Sequence, residues 1–212
     1  MVKTAAGDHA AGTIGPNAVT QLIGALKLAG LDRLAGQIFR AAGAGAWLTD
    51  PPSVMVDERR VAGLHQAVWA VLPRPDADAL MTEAGLLTAD YLLVNRIPRL
   101  VQIVMKRLPA RLAARILVSA IRAHAWTFAG TGRFKAKTGV PTVFEIEGNP
   151  LCHGEHTPAP VCAWHAAVFQ QLFAVLVSPN TTVVETACEA RGDACCRFVI
   201  DWRASDQAVR SG

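Results

Sequence analysis

Residues 181–202, TTVVETACEARGDACCRFVIDW, read as two strands folded back on a single turn. The spacing predicts strands over 181–188 and 195–202, where Val183, Val184, Phe198, Val199 and Ile200 favour extended backbone, and Arg191-Gly192-Asp193 between them is a turn signal. In such a hairpin Cys188 and Cys196 stand symmetrically about Gly192, so their thiols face each other across the strand pair. Alternation turns the neighbouring Cys195 to the opposite face.

Immediately before the hairpin, residues 160–177 form a nearly all-apolar helical segment that must be buried on most sides. A loop carrying Cys152, His153 and His156 leads into it. Two further strands are predicted at 127–137, with Gly130 and Gly132, and at 141–147, where Val143, Glu145 and Glu147 alternate with Phe144 and Ile146. Everything earlier is helical in pattern: 16–30, opened by Pro16 and closed by Gly30; 32–42; 57–71, with Asp57 as its cap; 76–95, interrupted near Gly85; 99–107 after Pro98; and 111–126 after Pro109. In the last of these Leu112, Ile116, Leu117, Ala120, Ile121 and His124 make one face apolar and leave the other basic. The chain therefore divides into an N-terminal helical extension (1–75), a mixed helix-and-strand domain (76–203) and a flexible tail (204–212).

Composition narrows the class. With 212 residues, 51% hydrophobic and 18% charged, the chain is too apolar for disorder and long enough for one well-buried domain, with apolar material left for a ligand cavity or a subunit interface. No run approaches the roughly 18 apolar residues of a membrane span, and residues 1–15 lack a compact apolar core of a secretory signal, which points to the cytoplasm. Asn180-Thr181-Thr182 is a glycosylation sequon without weight in that compartment. Between Tyr91 and Phe144 stand ten Lys or Arg and no Asp or Glu. These are either solvated helix faces or a patch for propionate groups, an acidic partner or an anionic membrane surface. Nucleic acid fits poorly, because the cations are interleaved with apolar positions and no recognised binding module accompanies them.

Five cysteines, all in the last third, are an odd count for a disulfide framework and suit a metal. Cys162 opens the buried helix, Glu185 precedes Cys188 by three residues, and Cys196 lies across the hairpin. Three thiolates and a carboxylate would close a tetrahedral zinc site. Glu185 and Cys188 differ in strand parity, so sharing one ion requires a bend or bulge. Spacing alone leaves open the alternative that these are small core residues with a solvated glutamate.

The run Cys162-(22 residues)-Glu185-x-x-Cys188-(7 residues)-Cys196, with Gly192-Asp193-Ala194-Cys195-Cys196-Arg197-Phe198 in its hairpin, resembles the signature of the 4-vinyl-reductase domain family. Gly85 to Pro98 (GLLTADYLLVNRIP) and His124-Ala125-Trp126-Thr127-Phe128 extend the resemblance over roughly residues 80–202 and are most similar to its bacteriochlorophyll-biosynthesis branch. The resemblance implies a mixed α/β fold of the α+β kind, an antiparallel sheet packed with helices, distantly like vesicle-tethering subunits and often dimeric. It also implies structural zinc on Cys162, Glu185, Cys188 and Cys196.

For function, the resemblance implies a tetrapyrrole intermediate such as divinyl protochlorophyllide or Mg-protoporphyrin, either carried or reduced at a vinyl group. Other pathway enzymes would be partners. Reduction needs a hydride or electron source, and neither Gly43-Ala44-Gly45 nor Gly130-Thr131-Gly132 makes the dinucleotide-binding G-x-G-x-x-G turn. Binding is the preferred expectation; an interaction subunit without its own ligand is a further alternative. The candidate lining is Phe128, Phe134, Phe144, Trp164, Phe169 and Phe173, with Trp126 nearby, Arg115 or Arg122 meeting propionates, and His124 as metal ligand. His153, His156 and His165 are alternative ligands. Cys152 beside His153 or His156 has the residue types of a nucleophile and base, without a visible third group to orient them.

Overall fold

Proline begins four of the helices. Pro16, Pro73, Pro98 and Pro109 each stand immediately before α1 (Asn17–Leu28), α4 (Arg74–Asn95), α5 (Arg99–Arg107) and α6 (Ala110–Ala123), where a missing N–H costs no helical hydrogen bond. The computed structural model describes residues 12–203; the expected tail and residues 1–11 of the stretch read for a signal lie outside them. α2 (Asp32–Ala41) follows α1, and α3 (Glu58–Val71) starts at Asp57, whose carboxylate accepts from the N–H groups of Arg59 and Arg60 as its sequence position predicts. A two-stranded pair, β1 (Thr13–Ile14) with β2 (Val56–Asp57), was too short to show as a period.

The second half is an antiparallel sheet in the order β3 (Arg133–Lys137), β4 (Thr142–Glu147), β6 (Cys196–Asp201), β5 (Thr182–Ala187). Its inner face, including Phe144, Ile146, Phe198 and Ile200, is fully buried beneath α8 (Ala163–Leu176). α8 in turn packs on α4, and α4 on α1, so α8 is enclosed between sheet and helix, which explains its near absence of polar residues. The expected α+β class is the one observed. One apolar core runs from Ile14 to Trp202, and the N-terminal helices share it with the sheet.

Two local expectations change. Gly85 does not interrupt its helix: α4 runs unbroken from Arg74 to Asn95, and the glycine is where α8 comes closest, a Cβ there falling 2.5 Å from the Trp164 carbonyl oxygen. The strand expected from 127 begins only at Arg133, because Trp126–Ala129 form one short helix, α7. Gly130, at φ +54°, makes the turn between them. The Glu58 carboxylate at the start of α3 receives the N–H and hydroxyl of Thr131, tying the extension to the sheet.

Candidate metal centre

Three separate loops deliver four thiols to one point. Cys152 ends a 3-10 turn, Pro150–Cys152, which Asn149 opens by accepting the Leu151 N–H on its side-chain oxygen. Cys162 caps α8. Cys188 and Cys196 flank the β5–β6 turn, where Gly192 takes the left-handed conformation (φ +92°) and the Asp193 carboxylate receives the Cys188 N–H. The Glu189 carboxylate, from the same turn, accepts from Gly148 and Asn149 N–H, fixing the first loop against the last.

The sulfurs lie 3.4 Å (Cys152–Cys196), 3.6 Å (Cys162–Cys196), 3.9 Å (Cys188–Cys196) and 4.0 Å (Cys162–Cys188) apart. A tetrahedron with metal–sulfur bonds of ~2.3 Å has edges of about 3.8 Å. All four cysteines are buried, and their sulfurs fit one metal ion without rearrangement. The Asn149 amide donates to Cys162 Sγ at 3.3 Å, the kind of outer hydrogen bond that orients a thiolate.

The expected set of Cys162, Glu185, Cys188 and Cys196 thus differs at one corner. Cys152, a loop cysteine outside the sequence signature, completes the sulfur cluster, and Glu185 stands beside it. A register shift between Glu185 and Ala187 supplies the bulge that strand parity demanded, bringing the carboxylate inward. There Glu185 Oε2 accepts the Cys162 N–H at 2.9 Å, whereas Oε1 is buried with no partner. Burial, reinforced by the nearby Cys188, pushes this carboxyl up to about 9. Hydrogen bonds from the other three thiols hold Cys188 far below the ordinary thiol range, and the same network pushes Cys162 well above it. Only one thiol deprotonates easily in such a cluster, so a divalent cation is the natural counter-charge for the rest. The orphaned Glu185 oxygen gives a second indication of a cation or proton at this point.

Cys195 lies outside the cluster, close to the outer-face pair Glu145 and Arg197. Cys152 is buried among sulfurs, not paired with a catalytic base; His153 and His156 are exposed, and the His153 carbonyl accepts from Gln66 of α3.

The candidate pigment contacts separate into two groups. Phe128, Phe134, Phe144 and Phe169 fill the space between α8 and the sheet with edge-to-face contacts of 5.0–5.8 Å, so these rings pack on one another. Phe173 and Trp164 are buried beside them, the indole donating to the Thr88 hydroxyl. His165 lies among these rings with both nitrogens unpartnered. Arg115, Arg122, His124 and Trp126, in contrast, are exposed on α6 and at the start of α7. The apolar stripe foreseen on this helix is therefore split: Leu117 and Ile121 face the core with Ala113, Ala114 and Val118, while Leu112, Ile116, Ala120 and His124 face solvent. Arg122 donates to the Ala136 carbonyl on β3. His124 Nδ1 lies 2.9 Å from the Ala120 carbonyl, which can only accept, so the proton resides on Nδ1 and the Nε2 lone pair is left for a ligand.

Helices layered on an antiparallel sheet and a buried cysteine cluster at the terminal hairpin place the chain in the 4-vinyl-reductase domain class, and the family model for that domain matches residues 142–201. Proteins named "Bacteriochlorophyll synthase 23 kDa chain" from Cereibacter sphaeroides and Rhodobacter capsulatus are 46% and 40% identical to it, over 91% and 93% of this chain and 92% and 91% of theirs. The chain belongs to this family. Among solved structures, the phenol-responsive sensory domain of the transcription activator PoxR aligns at TM-score 0.48 with 13% identity, covering 68% of this chain and 74% of that one. A vinyl-4-reductase family protein from Methanocaldococcus jannaschii aligns at TM-score 0.36 with 12% identity, over 66% and 88%.

Proposed function

We propose that this chain serves bacteriochlorophyll biosynthesis in the cytoplasm by holding a tetrapyrrole intermediate, such as divinyl protochlorophyllide or Mg-protoporphyrin, as a carrier for the enzymes that make and consume it. The observation that carries this reading is identity above 40% across nine-tenths of a relative whose name assigns it to bacteriochlorophyll synthase. The exposed end of α6 has suitable chemistry: the Nε2 of His124 for a magnesium ion, Arg115 and Arg122 for propionates, and Trp126 at the adjacent turn. Phe128, Phe144, Trp164 and Phe169 then support this surface from below. A structural zinc ion in the cysteine cluster holds the hairpin, the start of α8 and the 150–152 turn together, and a homodimer is the assembly state that goes with the reading.

Titrating the purified protein with Mg-protoporphyrin and with divinyl protochlorophyllide tests the proposal. A shifted Soret band that is weakened at least tenfold in His124→Ala is the expected result, and an unshifted band with either pigment overturns it. The alternative, a vinyl reductase, predicts loss of the vinyl group when NADPH is added to the complex; the carrier leaves that group intact.

A further inference from the structure

α5 is almost entirely outside the core. Of its nine residues only Met105 is buried, while Leu100 is 73% exposed and Val101, Ile103 and Val104 are 43–50% exposed. Solvating four aliphatic side chains on one short helix is costly at ~25 cal/mol per Å2 of apolar surface, and a patch of this kind marks an interaction site. α6, joined to α5 through Leu108 and Pro109, continues the pattern. Leu112 and Ile116 lie one turn apart on a solvent-facing stripe, and helical spacing puts Arg111, Arg115 and Arg122 on the stripe next to it. Arg99, Lys106 and Arg107 add three exposed cations on α5.

From Tyr91 to Phe144 the chain has no acidic residue, and Arg99, Lys106, Arg107, Arg111 and Arg115 have no ion-pair partner among the described residues. We infer that the outer face of α5 and α6 docks on the surface of an anionic lipid bilayer, the aliphatic residues entering the headgroup region and the cations meeting lipid phosphates. Aliphatic residues beside arginine stripes on helices lying in the plane of the interface are the chemistry that such a surface recognises. A second copy of the chain fits poorly, since a twofold contact through this face sets cation against cation. A soluble acidic partner fits less well than lipid, because the face offers no aromatic anchor on α5 or α6 and few uncharged hydrogen-bonding groups. Among the described residues no helix is long and apolar enough to cross a membrane, so the contact is peripheral.

Co-sedimentation of the full, zinc-loaded chain with phosphatidylglycerol–phosphatidylcholine vesicles, beside pure phosphatidylcholine, tests this without any pigment, so its outcome is independent of the carrier proposal. Partitioning at least about tenfold stronger onto the anionic vesicles, and falling as salt is raised, is expected. Leu100→Asp/Val104→Asp and Arg107→Glu/Arg111→Glu alter only exposed positions, and each double variant should lower partitioning about tenfold with unchanged circular dichroism and zinc content. Equal binding to neutral vesicles, no binding to either, or undiminished binding of both double variants overturns the inference. So does a wild-type dimer that Leu100→Asp/Val104→Asp converts to monomer while vesicle binding is absent, which would make this face a contact between copies.

Discussion

At the scale of single residues, the fourth corner of the cysteine cluster is the most informative position. Cys152 Sγ sits 3.4 Å from Cys196 Sγ, whereas Glu185 is held on the Cys162 N–H with its other oxygen unpartnered. A four-sulfur site therefore forms without the carboxylate, and Glu185 balances charge from outside it. Cys152→Ser should weaken zinc binding by more than the ~10–100-fold typical of an outer contact, while Glu185→Gln should keep one zinc per chain with a loss inside that range. Competition against a chromophoric chelator measures both; if Glu185→Gln loses the metal and Cys152→Ser keeps it, the carboxylate is the true ligand. The signature residues Cys162, Glu185, Cys188 and Cys196 were legible from spacing, since a hairpin and a helix start fix their relations. Cys152 was not, because its position depends on the turn opened by Asn149 and on Glu189 reaching back from forty residues further on.

At the scale of elements, the contact between α4 and α8 depends on Gly85. A Cβ there would lie 2.5 Å from the Trp164 carbonyl oxygen and 2.7 Å from the Ala167 Cβ, both fixed groups on α8. Gly85→Ala should therefore destabilise by about 1–3 kcal/mol through overpacking, although alanine is intrinsically the better helix former by about 1 kcal/mol. Urea unfolding reports the sign, and a stabilised variant would mean that the two helices are not in such close contact. The glycine reads as a helix interruption in a single sequence, because its partner lies eighty residues away. The helix starts at Asn17, Arg74, Arg99 and Ala110 were legible for the opposite reason: proline acts on its own neighbours.

At the scale of the whole molecule, the shared core encloses two histidines, and this sets its response to acid. Burial lowers His65 to about 4, although its Nε2 approaches the Ala18 carbonyl, and burial with the adjacent His65 lowers His165 to about 3. The folded chain thus refuses protons that the unfolded chain accepts below an ordinary histidine pKa of about 6.5. Their contribution is intact above that pH and declines as pH falls towards 4 and then 3, by ~1.4 kcal/mol per pH unit for each histidine. Unfolding of the metal-stripped protein between pH 7 and 5 should show this slope, and His165→Leu should remove about half of it; a flat profile would mean that neither ring is buried neutral. What the sequence by itself determined was everything set by near neighbours: the α+β class, most element positions, the hairpin and three of the clustered thiols, because periodicity, proline, glycine and turn chemistry act within a few residues. Tertiary structure alone decided that Cys152 joins the sulfurs, that the phenylalanines close on one another, and that half of the α6 stripe faces outward. Those outcomes depend on which surfaces distant segments cover, and no local period records that.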